Sequence, residues 1–99
     1  MPKPLDWPCC EIAVHVADPQ PDHMVIRWDP ALPHPARVRV RDYTCACKPT
    51  FYELCQSGGL YFIRRTRRSG QKVVIDESVW TTHAAILAIW ARLLDGTAI

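Results

Sequence analysis

Three of the five cysteines in this chain lie close together in the sequence, at Cys45, Cys47 and Cys55. If residues 37 to 47 form a strand, the side chains of Cys45 and Cys47 point to the same side and lie about 7 Å apart. Three thiolates and one histidine can form a tetrahedral zinc shell, and His83 is the first candidate for the histidine. One interpretation is therefore a structural zinc site made by Cys45, Cys47, Cys55 and His83.

Two other interpretations of these cysteines stay open. Reduced cysteine is among the most buried residue types and behaves as a small hydrophobic side chain. Zinc sites usually use pairs of ligands about two to four residues apart on a tight turn, whereas this chain has a single C-x-C pair. We therefore favour ordinary packing, with zinc as the second interpretation and a disulfide or redox pair as the third.

The residues show no pattern that is typical of a catalytic site. Cys55 is expected late in a short helix, where the helix dipole disfavours a thiolate. A catalytic thiol also needs a base within reach, and the four histidines are scattered along the chain. The sequence contains no phosphate-binding glycine loop and no nucleophile elbow. We therefore expect a protein without enzymatic activity.

The basic residues are concentrated in the middle of the chain. Residues 37 to 72 contain nine basic and two acidic side chains, whereas the remainder contains three basic and eight acidic ones. The local balances of +7 and −5 add up to the net charge of +2. Such an uneven distribution indicates a charged binding partner and says little about the fold.

Two groups of arginines form the strongest functional signal. Four of them are expected at the tip of a β-hairpin, and three more on one face of another strand. Guanidinium groups bind phosphate oxygens through two parallel hydrogen bonds, and tyrosines can stack on nucleobases. We therefore predict a nucleic-acid-binding module. Its predicted contacts are Arg37, Arg39, Arg41, Arg64, Arg65, Arg67, Arg68, Lys72, Tyr43 and Tyr61.

Other functions are compatible with the same residues. The arginines could bind an acidic protein surface in a protein-interaction or regulatory module, because Arg, Trp and Tyr are frequent interface anchors. They could also form a solvated edge, since charged side chains on edge strands prevent aggregation. A zinc-stabilised accessory domain is the remaining alternative, and zinc is the only cofactor that the sequence suggests.

The elements that position these residues follow from alternating apolar side chains and from proline and glycine. Alternation predicts strands over residues 11 to 18, 23 to 29 and 37 to 47. Pro49 and the Gly58-Gly59 pair predict the start and the end of a short helix. A β-hairpin is expected over residues 60 to 79, with its turn at Ser69-Gly70-Gln71.

The last predicted element is a long helix over residues 81 to 96, with Thr81 or Thr82 as its N-cap and Gly96 at its end. The resulting order is β-β-β-α-β-β-α. We expect an α+β fold with two layers, in which the long helix packs on one face of a mainly antiparallel sheet of about five strands. The apolar stripe that would face the sheet consists of Ile86, Leu87, Ile89, Trp90, Leu93 and Leu94.

The chain is expected to contain one domain over residues 9 to 99, preceded by an extended tail over residues 1 to 8. No apolar run approaches the ~20 residues of a membrane span. The N-terminal sequence lacks the apolar run of a secretory signal, so we expect a cytoplasmic protein, and its composition suggests a bacterial one. The back of the long helix consists mainly of alanine, which suggests a homodimer through this helix.

The segment of residues 59 to 96 combines an aromatic-rich strand, a basic hairpin and a helix with alanines and a tryptophan. In these features it resembles the arm-type DNA-binding modules of phage-type recombinases, which pair a small antiparallel sheet with one C-terminal helix. The segment YTCACKPTFYELCQSGGLYFIRR is similar to small uncharacterised actinobacterial proteins. The first resemblance implies an α+β fold, and neither of them assigns a role to a particular residue.

Overall fold

The computed structural model describes residues 14–31, 33 and 37–99. The predicted tail over residues 1–8 and the start of the first predicted strand lie outside these residues. The described chain has an α+β fold with a five-stranded antiparallel sheet and a C-terminal helix, as the sequence predicted. The strands are β1 (Asp29–Pro30), β2 (Val38–Tyr43), β3 (Thr50–Ser57), β4 (Leu60–Ser69) and β5 (Lys72–Glu77), and the helix is α1 (His83–Asp95). Their order in the sheet is β1-β5-β4-β3-β2.

The predicted short helix over residues 49 to 59 is wrong, because this segment forms strand β3. The alternation of its side chains between the two faces of the sheet indicates a strand: Tyr52 and Leu54 belong to the core beneath α1, whereas Cys55 lies on the other face. Gly58, taken as the end of a helix, has a φ of 60° in the tight turn from β3 to β4. A glycine at such a position suits a hairpin turn as well as a helix end.

The described parts of the first two predicted strands, residues 14–18 and 23–29, lie mostly outside the sheet. Met24 and Ile26 pair with the C-terminal tail, where the Ile26 N–H donates to the Ile99 carbonyl at 2.7 Å. Of the described residues before β2, Asp29 and Pro30 form the strand that joins the sheet, as β1 beside β5. Alternation identified correctly that Ile26 is buried. It could not identify the partner, because a short tail and a sheet strand offer the same backbone hydrogen bonds.

The hairpin and the long helix are confirmed. Strand β4 pairs with β5 across a two-residue turn at Gly70-Gln71, and Ser69, predicted in the turn, is the last residue of β4. The Thr82 hydroxyl accepts a hydrogen bond from the Ala85 N–H, and Gly96 ends the helix with a φ of 84°. These are the N-cap and C-cap that the sequence predicted.

The core lies between α1 and one face of the sheet. Ile86, Trp90 and Leu93 are buried on the helix side, and Tyr52, Leu54 and Ile63 are buried on the sheet side. The predicted stripe was too wide on one side, since Leu87 is 41% exposed.

The alanines on the back of α1 are exposed, and the homodimer through them stays a prediction. Within the described residues, no helix has both the length and the apolar character needed to cross a bilayer.

Gly96 is expected to tolerate alanine less well than Gly70 does. Both glycines have a positive φ, which costs an alanine roughly 1–2 kcal/mol. A Cβ at Gly96 would also collide with the backbone carbonyl of Asp18, whereas the space around Gly70 is open. Measured by urea unfolding, Gly96→Ala should therefore lower the free energy of unfolding by about 1–3 kcal/mol more than Gly70→Ala does. Equal losses would show that the Asp18 segment moves aside without cost.

Candidate basic surface and cysteine cluster

The hairpin arginines pair with carboxylates on the neighbouring strands. Arg64 lies opposite Glu53 of β3 in the register, and its Nε is 2.9 Å from Glu53 Oε1. Arg65 lies opposite Asp76 of β5, and its Nη2 is 2.8 Å from Asp76 Oδ2. Arg67 reaches the same Asp76 oxygen at 2.9 Å. Three of the four hairpin arginines are therefore paired with a carboxylate of the fold, two of them with the same one.

Arg65 is also packed against an aromatic ring, that of Trp28. Its guanidinium carbon lies 4.5 Å from the centre of the Trp28 ring, and the Trp28 and Tyr52 rings are 5.9 Å apart. Burial raises the pKa of the Tyr52 hydroxyl, although Arg65 and Arg67 act in the opposite direction. The Arg65 side chain is only 17% exposed. This arginine stabilises the fold and is poorly placed to contact a large ligand.

Arg68 holds the turn that follows β2. Its Nη2 donates to the carbonyls of Ala46 and Lys48, and its guanidinium carbon lies 5.4 Å from the centre of the Phe51 ring. The backbone of Arg68 also donates to the Pro49 carbonyl at 2.8 Å. Among the predicted hairpin residues, Lys72 is exposed in the described structure and takes part in no ion pair there.

The second group of arginines is differently placed. Arg37, Arg39 and Arg41, here called the basic edge, are all exposed on or beside the edge strand β2. In the described part of the chain, no carboxylate forms an ion pair with any of them. A cavity of about 320 Å³ is lined by Arg37, Arg39, Gln56 and Gly58. Within the described residues, the basic edge is therefore exposed and its charge is not paired with a carboxylate.

The predicted placement of Arg37, Arg39 and Arg41 on one face of a strand is wrong. Strand β3 separates β2 from β4, so the two arginine groups do not lie on neighbouring strands. A register shift between Val40 and Asp42 also interrupts the alternation at Arg41, so the three arginines are not a regular ladder on one face.

The two predicted stacking tyrosines lie on opposite faces of the sheet. Tyr43 pairs with Glu53 and is 49% exposed. Tyr61 pairs with Gln56 on the face that carries α1, and its ring stacks on that of His83 with centroids 4.6 Å apart. Because Glu53 and Gln56 are three positions apart on one strand, their partners cannot share a face.

The cysteines form a cluster with a histidine that the sequence did not indicate. The ligand atoms of His15, Cys45 and Cys47, here called the cysteine cluster, all lie within 4.8 Å of one another. His15 Nε2 is 3.0 Å from Cys47 Sγ. The Cys45 N–H donates to the Val14 carbonyl at 2.8 Å, which brings the two segments together. This group could hold a metal ion.

Cys45 and Cys47 are neighbours for a different reason from the predicted one. They do not lie on a strand, because β2 ends at Tyr43 and residues Ala46 and Cys47 form a turn. A turn lets both thiols approach one point in space, as tight turns do in common zinc sites. No sequence pattern indicated His15, because its distance from Cys47 depends on how the segment before β1 folds back.

Cys55 and His83 are separate from the cysteine cluster. Cys55 is fully buried in β3, and burial raises the pKa of its thiol to about 11. Its expected place late in a helix was wrong, but burial likewise disfavours a thiolate and hence a nucleophile. His83 stacks on Tyr61 instead. The predicted set of Cys45, Cys47, Cys55 and His83 is therefore not brought together in the described residues.

No family model, no curated protein and no solved structure matches this chain. The resemblances to recombinase arm modules and to actinobacterial proteins therefore stay predictions, and so does the absence of enzymatic activity.

Among the carboxylates in the described ion pairs, Asp76 is expected to be the most important for stability. Its side chain is 10% exposed and serves both Arg65 and Arg67. Asp76→Ala would leave a largely buried guanidinium without its partner and should lower the free energy of unfolding by about 3 kcal/mol.

Asp29→Ala is the matched control for this substitution. Asp29 pairs with Arg27 at 3.4 Å on the surface, where the two side chains are 53% and 85% exposed. Asp29→Ala should therefore lower the free energy of unfolding by less than about 1 kcal/mol. Similar losses for both variants in urea unfolding would contradict the structural role given to Asp76.

Proposed function

We propose that this protein is a non-enzymatic nucleic-acid-binding module whose contact surface is the basic edge, Arg37, Arg39 and Arg41. One observation carries the proposal: these arginines are exposed and, in the described residues, pair with no acidic side chain. The hairpin arginines, by contrast, are engaged in the fold.

The physical reason for the proposal is electrostatic. Like charges on one strand repel, and a partner that neutralises them removes this repulsion. Phosphate oxygens accept the parallel hydrogen bonds of a guanidinium group, and their binding releases counterions from the nucleic acid. The exposed Lys72 could contribute a further phosphate contact at the end of the hairpin. An acidic protein surface is the alternative partner.

The proposal predicts a salt-dependent affinity that depends on the basic edge. Arg37→Ala, Arg39→Ala and Arg41→Ala should each weaken binding to labelled oligonucleotides and lower the slope of log K against log salt by about 1. Fluorescence anisotropy at several salt concentrations would measure both effects.

Arg92→Ala is the matched control, because Arg92 is also an exposed arginine but lies on α1, where it donates to Thr97. It should leave the affinity and the slope nearly unchanged. Absence of binding by the unmodified protein even at low salt would remove nucleic acid as the partner. An acidic protein surface would then be tested with the same variants.

A second proposed function is structural zinc binding by the cysteine cluster. Thiolate and imidazole are the usual ligands of structural zinc, and three such groups converge here. An ion at this point would join the segment of His15 to the turn after β2, and Arg68 already fixes that turn from the other side. Thiols in a zinc site also suit the reducing cytoplasm that we propose as the location.

Above Kd, zinc should raise the melting temperature with the logarithm of its concentration, because only the folded chain places the three ligands together. At a hundredfold excess over Kd the gain corresponds to about 2.7 kcal/mol. His15→Ala and Cys47→Ser should abolish this gain and reduce the zinc content measured by elemental analysis.

The controls are His23→Ala and Cys55→Ala, which remove a histidine and a cysteine that lie outside the cluster. Cys55→Ala is expected to lower stability, since Cys55 is fully buried, but it should keep the zinc-dependent gain. If the unmodified protein contains no zinc and its melting temperature does not change when zinc is added, the cysteine cluster does not bind zinc and its side chains only pack together.

A further inference from the structure

A row of side chains crosses the sheet next to the basic edge. Arg39 of β2 is the register partner of Gln56 in β3, and Gln56 is the register partner of Tyr61 in β4. Partners on adjacent strands point to the same face with Cβ atoms about 5 Å apart. The row from Arg39 to Tyr61 is therefore about 10 Å long, on the face that carries α1.

The far end of the row is an aromatic pair. The Tyr61 and His83 rings stack with centroids 4.6 Å apart and an angle of 29° between their planes. Tyr61 is fixed by two backbone hydrogen bonds of 2.9 Å with Thr81, one in each direction. His83 is the first residue of α1 and is exposed. The pair therefore offers a flat surface to solvent on a rigid support.

The near end of the row is a basic cavity. Arg37, Arg39, Gln56 and Gly58 line a volume of about 320 Å³. Two guanidinium groups supply the charge, and the Gln56 amide supplies both a donor and an acceptor. Asp42, the acidic residue of the same strand, accepts a hydrogen bond from Trp90 Nε1 at 3.2 Å and is thereby held away from this end.

We propose that this row binds single-stranded nucleic acid. A base would stack on the His83 side of the aromatic pair, the adjoining phosphate would lie between Arg37 and Arg39, and Gln56 would bond the base edge between them. This inference rests on the proposed function and deepens it, because it names the strandedness of the ligand and adds Gln56 and His83 to the contacts.

Single strands are favoured over a duplex for a geometric reason. The bases of a duplex are stacked on each other, so an aromatic ring on a sheet has no base face to contact. Single-strand binders combine a basic groove with aromatic platforms, and each stacked base contributes strongly to affinity. A row with a cation at one end and stacked rings at the other has this combination within the length of one nucleotide.

The test compares two ligands and two substitutions. The ligands are a fluorescein-labelled oligothymidylate of about 12 nucleotides, which is within the site sizes of small single-strand binders, and a labelled duplex of the same length. His83→Ala should weaken binding of the oligothymidylate at least about fivefold and leave duplex binding unchanged. His83→Phe, which keeps a flat ring, should restore most of the loss.

Two controls separate stacking from unfolding and from charge. His23→Ala removes a histidine outside the row and should change neither affinity, and circular dichroism would verify that each variant melts as the unmodified protein does. Arg39→Ala should weaken the binding of both ligands, because phosphate contacts do not depend on strandedness.

The outcomes distinguish this inference from the proposed function. If Arg39→Ala weakens binding but His83→Ala does not, the basic edge binds nucleic acid and the stacking row is wrong. A preference for duplex over oligothymidylate overturns the row as well. If neither ligand binds at low salt, the proposed function itself fails. If thymidine monophosphate competes as well as the oligothymidylate, at equal nucleotide concentration, the row is a site for a free nucleotide.

Discussion

Strand β4 lies at the centre of the sheet, and the ion pairs that it makes with both neighbours hold the structure around it. Glu53 comes from β3 and Asp76 from β5, so carboxylates flank the arginines of β4 on each side. Arg65 adds a contact with the Trp28 ring, which belongs to the segment before β1. The two-residue turn at Gly70-Gln71 sets the register that makes the β5 pair possible.

The same arrangement explains where charge is available for binding. An arginine in a central strand has a neighbour on each side, and its charge is satisfied most readily by a residue of the fold. An arginine in an edge strand has a neighbour on one side only. Arg37, Arg39 and Arg41 are beside or within such a strand and stay exposed. Within the described residues, position in the sheet, and not the number of arginines, separates the arginines without an ion pair from those that the fold engages.

Arg68 connects the hairpin to the cysteine cluster. Its guanidinium group holds the carbonyls of Ala46 and Lys48, which flank Cys47 in the turn. The hydrogen bond from Cys45 to Val14 holds the other side of the cluster. The backbone on either side of both cysteines is therefore held by contacts within the fold. Preorganisation of this kind lowers the entropy that must be lost on binding.

The sequence by itself determined the local elements whose signals need no distant partner. The hairpin followed from Gly70 and the helix from Thr82, Gly96 and the apolar stripe, because caps and turns depend on a few adjacent residues. The exact register did not follow: a turn at Ser69-Gly70-Gln71 would place Arg65 opposite Ile75, whereas the observed two-residue turn places it opposite Asp76. The segment of β3 was predicted as a helix and not as a strand, because Pro49 and Gly58 suit the two ends of either element.

Only the tertiary structure decided which distant residues meet. His15 contacts Cys47, which is 32 positions away in the sequence. His83 stacks on Tyr61 and does not lie near the cysteines, although the sequence had suggested that it would. Strand β3 separates the two groups of arginines. None of these outcomes has a local cause. Each depends on how strands order themselves in the sheet and on how an extended segment folds back. Strand order and the path of that segment depend on burial and hydrogen bonding over the whole chain. The spacing of residues in the sequence does not contain this information.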